Sequence, residues 1–76
     1  MNFEKWVVLT TSKNIEGGVA STAVIKDNKK AAMDLFYYNC DKFGTNPATA
    51  MLEVMVINSY GDVEKVEKID NTQYTE

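Results

Sequence analysis

The side chains best suited to chemistry in this chain are few and scattered. Cys40 is the one cysteine, and there is no histidine. A nucleophilic thiolate needs a cationic neighbour or a helix N-terminus. Cys40 instead falls in an apolar helical stripe near the C-terminal end of that helix, beside Asp41, and reads as a small core residue. Glu53 interrupts an apolar run. A carboxylate buried alone is costly, so Glu53 should pair across a strand with Lys5, Lys65 or Lys68; work as a general acid would need a second group, and no spacing supplies one. Gly17-Gly18 follows a strand, but phosphate-binding turns open into a helix, and here another strand follows. Phe36, Tyr37 and Tyr38 lie on a helix beside Asp34 and Asp41, whereas nucleic-acid platforms set aromatics on strands among basic residues. Trp6 beside Lys5 is a lone stacking candidate. Asp62, Glu64, Glu67 and Asp70 alternate with Lys65 and Lys68 without the spacing of a calcium loop, and read as a solvated edge that discourages aggregation. With no nucleophile–base pair, metal cluster or cofactor loop to name, the expectation is a protein that is not an enzyme, with no cofactor and no metal.

Composition narrows the setting. Eight basic and eleven acidic residues leave a net charge of −3, where a phosphate-backbone binder carries a clustered basic face; no nucleic-acid partner is expected. No stretch approaches the roughly 20 apolar residues of a membrane span, and the N-terminus lacks a basic segment followed by a long apolar run. A lone cysteine fits a reducing compartment, so the expected location is cytoplasmic and no membrane contact is expected. The 76 residues make one small domain, residues 1–76, whose core is thin. Without a disulfide or metal staple, such a domain relies on good packing or on association.

The elements that must position these side chains follow from periodicity. Residues 3–12 (FEKWVVLTTS) alternate as a strand that is apolar on both faces, so it should be central. Residues 13–18 (KNIEGG) turn the chain, with Asn14, Gly17 and Gly18 tolerant of positive φ. Residues 19–26 (VASTAVIK) form a more polar strand with the character of an edge. Asp27 or Asn28 can cap a helix over about residues 28–43, with Ala32, Leu35, Phe36, Cys40 and Phe43 in one stripe. Gly44 is expected as its left-handed stop. Residues 50–58 (AMLEVMVIN) make a third strand, and residues 58–62 (NSYGD) a hairpin loop with Gly61 left-handed. Residues 63–69 (VEKVEKI) make a fourth strand. Its three-residue apolar spacing calls for a bulge near Val66, an edge position or a short helical turn. Residues 70–76 should fray.

This order predicts an α+β fold, ββαββ, with a four-stranded antiparallel sheet of strand order 2-1-3-4 and one helix on one face. The other face then carries about five large apolar side chains, which usually marks an interface. The strand faces divide as Val7, Leu9, Leu52, Val54 and Val56 against Trp6, Val8, Met51, Met55 and Ile57, and composition leaves open which set lies under the helix. Trp6, Val8, Met51, Met55 and Ile57 are taken as the candidate interface.

A first strand like KWVVLTT, a helix opening after VIKDNKKAAMDLF and a closing hairpin like MVINSYGDVEKVEKID give the chain a resemblance to short uncharacterised ββαββ proteins of bacterial and prophage genomes. The resemblance covers most of the chain, and it implies a setting and no mechanism. Two functions are in view. One is a non-enzymatic protein-interaction module that homodimerises through the open sheet face. The other is an inhibitor or decoy encoded by a mobile element, which binds a host protein through the acidic edge at residues 62–70.

Overall fold

A computed structural model describes residues 5–71 of the chain. Phe3 and Glu4 of the expected first strand, and residues 72–76 of the expected frayed tail, lie outside the described residues; the start of that tail is corrected, since Asp70 pairs with Met51 and the Asn71 N–H donates to the Ala50 carbonyl at 2.8 Å. The order is β1 (Trp6–Asn14), β2 (Val19–Lys26), α1 (Lys29–Gly44), β3 (Thr49–Ile57) and β4 (Val63–Asp70). The sheet is antiparallel throughout, in the order β2-β1-β3-β4. The ββαββ expectation and its strand order both hold.

Both hairpins turn on the same five-residue loop. In each, an asparagine stands first and a glycine fourth: Asn14-Ile15-Glu16-Gly17-Gly18 and Asn58-Ser59-Tyr60-Gly61-Asp62. The asparagine Oδ1 accepts from the N–H groups two and four residues on, at 2.9 and 2.9 Å from Asn14 and at 2.9 and 3.0 Å from Asn58. Its carbonyl accepts from the glycine N–H at 3.0 Å in both loops. Gly17 and Gly61 take φ of +95° and +87°, the left-handed conformation that costs a β-carbon-bearing residue about 1–2 kcal/mol.

Asn28 caps α1, its Oδ1 accepting from the Ala31 N–H at 2.8 Å. The far end corrects an expectation. Gly44 is the last helical residue and has no positive φ; Thr45 ends the helix by donating both its N–H and its hydroxyl to the Asp41 carbonyl. Position 44 is instead closely approached by β4: a β-carbon there would meet Ile69 Cδ1 at 2.7 Å, so that side chain would have to shift. The residue lets the helix end close onto β4.

The helix covers the face on which Trp6, Val8, Leu52, Val54 and Val56 stand, and Ala32 and Phe36 complete that core. Met33, Leu35, Cys40, Phe43 and Ile69 pack at its margin. One polar pair is sealed inside: Asn39 Nδ2 donates to Thr10 Oγ1 at 2.9 Å, and both residues are buried. Removing one partner leaves the other without a bond where water cannot replace it, which costs about 1–3 kcal/mol. Asn39→Ala is therefore expected to lower the unfolding free energy by that amount, read as a lower urea midpoint. Thr10→Val in the same chain should recover part of the loss, which a double-mutant cycle on urea melts would read.

The fourth strand is regular apart from one bulge, and the bulge is at Glu64 rather than near Val66. Val56 pairs with Lys65 and Ile57 with Val63, so Glu64 is the extra residue. The bulge resolves the odd apolar spacing, because it returns Val63 and Val66 to the same face.

Candidate functional site

The register assigns every strand residue to a face. Trp6 and Val8 belong to the helix side: Val8 pairs with Val56 and Thr10 with Val54, both Val8 and Val54 being fully buried. They are thus core residues, and the expected grouping of Trp6 and Val8 with Met51, Met55 and Ile57 is corrected. Partners in an antiparallel register share a face, and here even-numbered residues of β1 meet even-numbered residues of β3. Met51, Met55 and Ile57 do stand on the opposite face, with Val7 and Leu9 in place of Trp6 and Val8.

That opposite face, over which no element lies among the described residues, is organised in rows across the four strands. One row is Ile25, Val7, Ile57 and Val63; the next is Ala23, Leu9, Met55 and Val66. All eight are apolar. Ile25 is 66% exposed, Val63 53% and Val66 46%, while Val7, Leu9, Met55 and Ile57 are half-buried by one another. The third row is polar: Ser21, Thr11, Glu53 and Lys68. Thr11 and Ser21 share a hydrogen bond at 2.9 Å, and Lys68 Nζ lies 3.5 Å from Glu53 Oε2. The fourth row is Val19, Lys13, Met51 and Asp70. Beyond the first apolar row, Lys5 donates to Asp27. The two apolar rows are therefore a band with an ion pair at each end.

The polar rows surround a shallow hollow of about 330 Å³, lined among others by Thr11, Lys13, Val19, Met51, Glu53 and Lys68. Two carboxylates, Glu53 and Asp70, line it, and Glu53 is engaged by Lys68. Among the described residues no three Cys, Asp or Glu side chains gather as a metal would require, and no helix is long and apolar enough to cross a membrane. The acidic edge on β4 is partly occupied: Glu64 accepts from Asn58 Nδ2 at 2.8 Å and lies 3.7 Å from Lys29 Nζ.

Two pKa directions describe the electrostatics. Asp27 is held below the usual carboxylate value by its hydrogen bond from Lys5 and by that residue's charge. The pair is exposed to solvent, so its effect is local. Cys40 is pushed above the usual thiol value, first by burial and then by Glu67, with Lys65 opposing. A proton held more tightly in the folded state favours folding at pH below the ordinary thiol range, and that contribution fades as pH rises through the folded value. Alkylation of Cys40 by iodoacetamide at pH 8 is accordingly expected to be slower in the native protein than in urea. An equal rate in both would show the thiol to be free.

Sequence reasoning missed Val7, Leu9, Ala23, Ile25, Val63 and Val66 as members of this face. The signal for the last two was the bulge, and for the first two the register of β1 on β3. No protein-family model, curated protein or solved structure matches the chain.

Proposed function

We propose that the protein is a non-enzymatic interaction module that pairs with a second copy of itself through the open face of its sheet. The observation that carries this reading is the pair of complete apolar rows on a face that no element covers among the described residues. Burial of apolar surface contributes about 25 cal/mol per Å², so the band favours any contact that removes it from water. Four strands spaced about 4.8 Å apart and two apolar rows at about 6.7 Å give the band a footprint of roughly 260 Å². The flanking polar rows and ion pairs would have to supply the rest of the ~800 Å² per partner of a standard interface.

A second copy suits this face because its pattern is self-complementary. A two-fold lying between the sheets lays apolar band on apolar band and leaves each ion pair at the rim, where a charge costs little to keep wet. Sheet-on-sheet packing of this type has its own preferred geometry, with mean strand directions about 30° apart. Cys40, as a single unoxidised thiol, fits a cytoplasmic setting. The test is molar mass by light scattering over a wide concentration range. The expected result is a mass of at least two 8.5 kDa chains. A mass of one chain at every concentration would overturn the reading.

A further inference from the structure

The two edges of the sheet are treated very differently. β4 is guarded by the bulge at Glu64 and by charges along its length, Lys65, Glu67, Lys68 and Asp70 among them. Bulges and charges are the usual means of preventing an edge from pairing with another chain. β2 carries neither. Its pairing with β1 runs unbroken from Lys13↔Val19 to Trp6↔Lys26. Residues 19–25 include no charge and no proline, and all of them are exposed. In an antiparallel ladder, alternate residues turn their N–H and C=O groups away from the neighbouring strand, so β2 presents a straight row of donors and acceptors.

We propose that β2 pairs antiparallel with β2 of a second copy, with Thr22 on the two-fold axis. This contact runs along the outer edge of β2 rather than over the open face, and Val19 and Ile25, which also stand on that face, lie where the two surfaces meet. A two-fold perpendicular to the sheet keeps each copy's faces aligned, so even residues must meet even ones and odd must meet odd. Centring on Thr22 sets Val19 against Ile25, Ala20 against Val24, Ser21 against Ala23, and Thr22 against its own copy. The most exposed apolar residues of the strand, Val19 at 67% and Ile25 at 66%, then cover each other twice. Centring one residue later would place Ile25 against Ser21 and Val19 against Asp27. The charges agree with the first choice. Lys26 comes opposite Gly18 of the second copy and diagonal to its Glu16, and neither Lys26 nor Glu16 is in an ion pair among the described residues. A second copy is favoured over an unrelated extended peptide because this register matches both its apolar and its charged positions to itself.

Single cysteines in a Cys40→Ala background test the register. Thr22→Cys should form a disulfide-linked dimer under mild oxidation, since directly opposed residues have β-carbons about 4.5–5.5 Å apart. Ala20→Cys and Val24→Cys stand about 13 Å from their own copies and should link at least about tenfold less; mixed together, those two should link to each other. Thr22→Lys sets two ammonium groups face to face and should lower the mass in solution. It points to the helix side of the sheet, so it leaves the open apolar band untouched, and loss of the edge contact is distinguishable from loss of the face contact. A Thr22→Cys protein that links no better than Val24→Cys, together with a Thr22→Lys protein of unchanged mass, would overturn the proposal. Cross-linking of Thr22→Cys only to an added extended peptide would overturn it too.

Discussion

Replacing Phe36 with alanine is expected to remove about 3–5 kcal/mol of stability, enough to unfold much of the protein at room temperature. Phe36 is the largest side chain that is fully buried. It descends from the middle of α1 into the layer formed by Val8, Val54 and Val56, beside Trp6 in the same core. Its ring also meets Tyr37 edge-on, with centroids 5.2 Å apart, and lies 5.7 Å from Lys65 Nζ. Alanine would forfeit the transfer energy of the ring and leave a cavity whose walls belong to strands that cannot collapse without breaking their ladder. A domain of this size starts near the lower end of the roughly 5–15 kcal/mol typical of native proteins, so the loss is most of what it has. Urea melts followed by circular dichroism would show it as a much lower midpoint. Tyr37→Ala, at an exposed neighbouring position, should change the midpoint little. An equal effect of the two substitutions would mean that α1 does not seat Phe36 on the sheet.

The elements were legible because each carries its own local chemistry. The apolar stripe from Ala32 to Phe43 marked α1, Asn28 marked its start, and the two Asn-x-x-Gly loops marked the hairpins. Strand order followed from composition, since β1 and β3 are apolar on both faces and β2 and β4 are not. Facing was a different problem. Val7 and Val8 are interchangeable by propensity, and so are Val54 and Met55. Only the register of β1 on β3 decides which of them meets the helix. That register joins strands separated in sequence by β2 and α1, so no tight turn fixes it, and a slip of one residue would exchange the faces. Asn39 was missed for a related reason. An asparagine beside Cys40 on the apolar stripe looks like a flank residue until Thr10, 29 residues earlier, is known to lie beneath it. Gly44 shows the opposite error: a glycine in the right place for a helix stop has no positive φ, and what surrounds it is the close approach of Ile69.

Met55→Glu is expected to abolish association through the open face while the fold survives. Met55 stands in the second apolar row between Leu9 and Val66, near the centre of the band. It is half-buried in the single chain, so a carboxylate there can reach water as long as no second copy covers it. In the face-to-face dimer the same carboxylate would be sealed among apolar side chains without a partner. Stranding a buried charge costs at least about 3 kcal/mol, which is roughly a hundredfold or more in Kd. Glu53, two residues away on the same face, adds like charge, and its partner Lys68 is already engaged. Light scattering should therefore report a lower mass than for the wild-type chain, with an unchanged circular dichroism spectrum. Met55→Leu keeps shape and polarity and should retain the wild-type mass. Adding Thr22→Lys to Met55→Glu blocks the β2 edge as well, and the doubly substituted protein should be a folded monomer of one 8.5 kDa chain. A Met55→Glu protein that stays folded at the wild-type mass would show that the two apolar rows are not where the copies meet. Association would then have to rest on the edge of β2 alone, and the open band would be left for a partner of another kind.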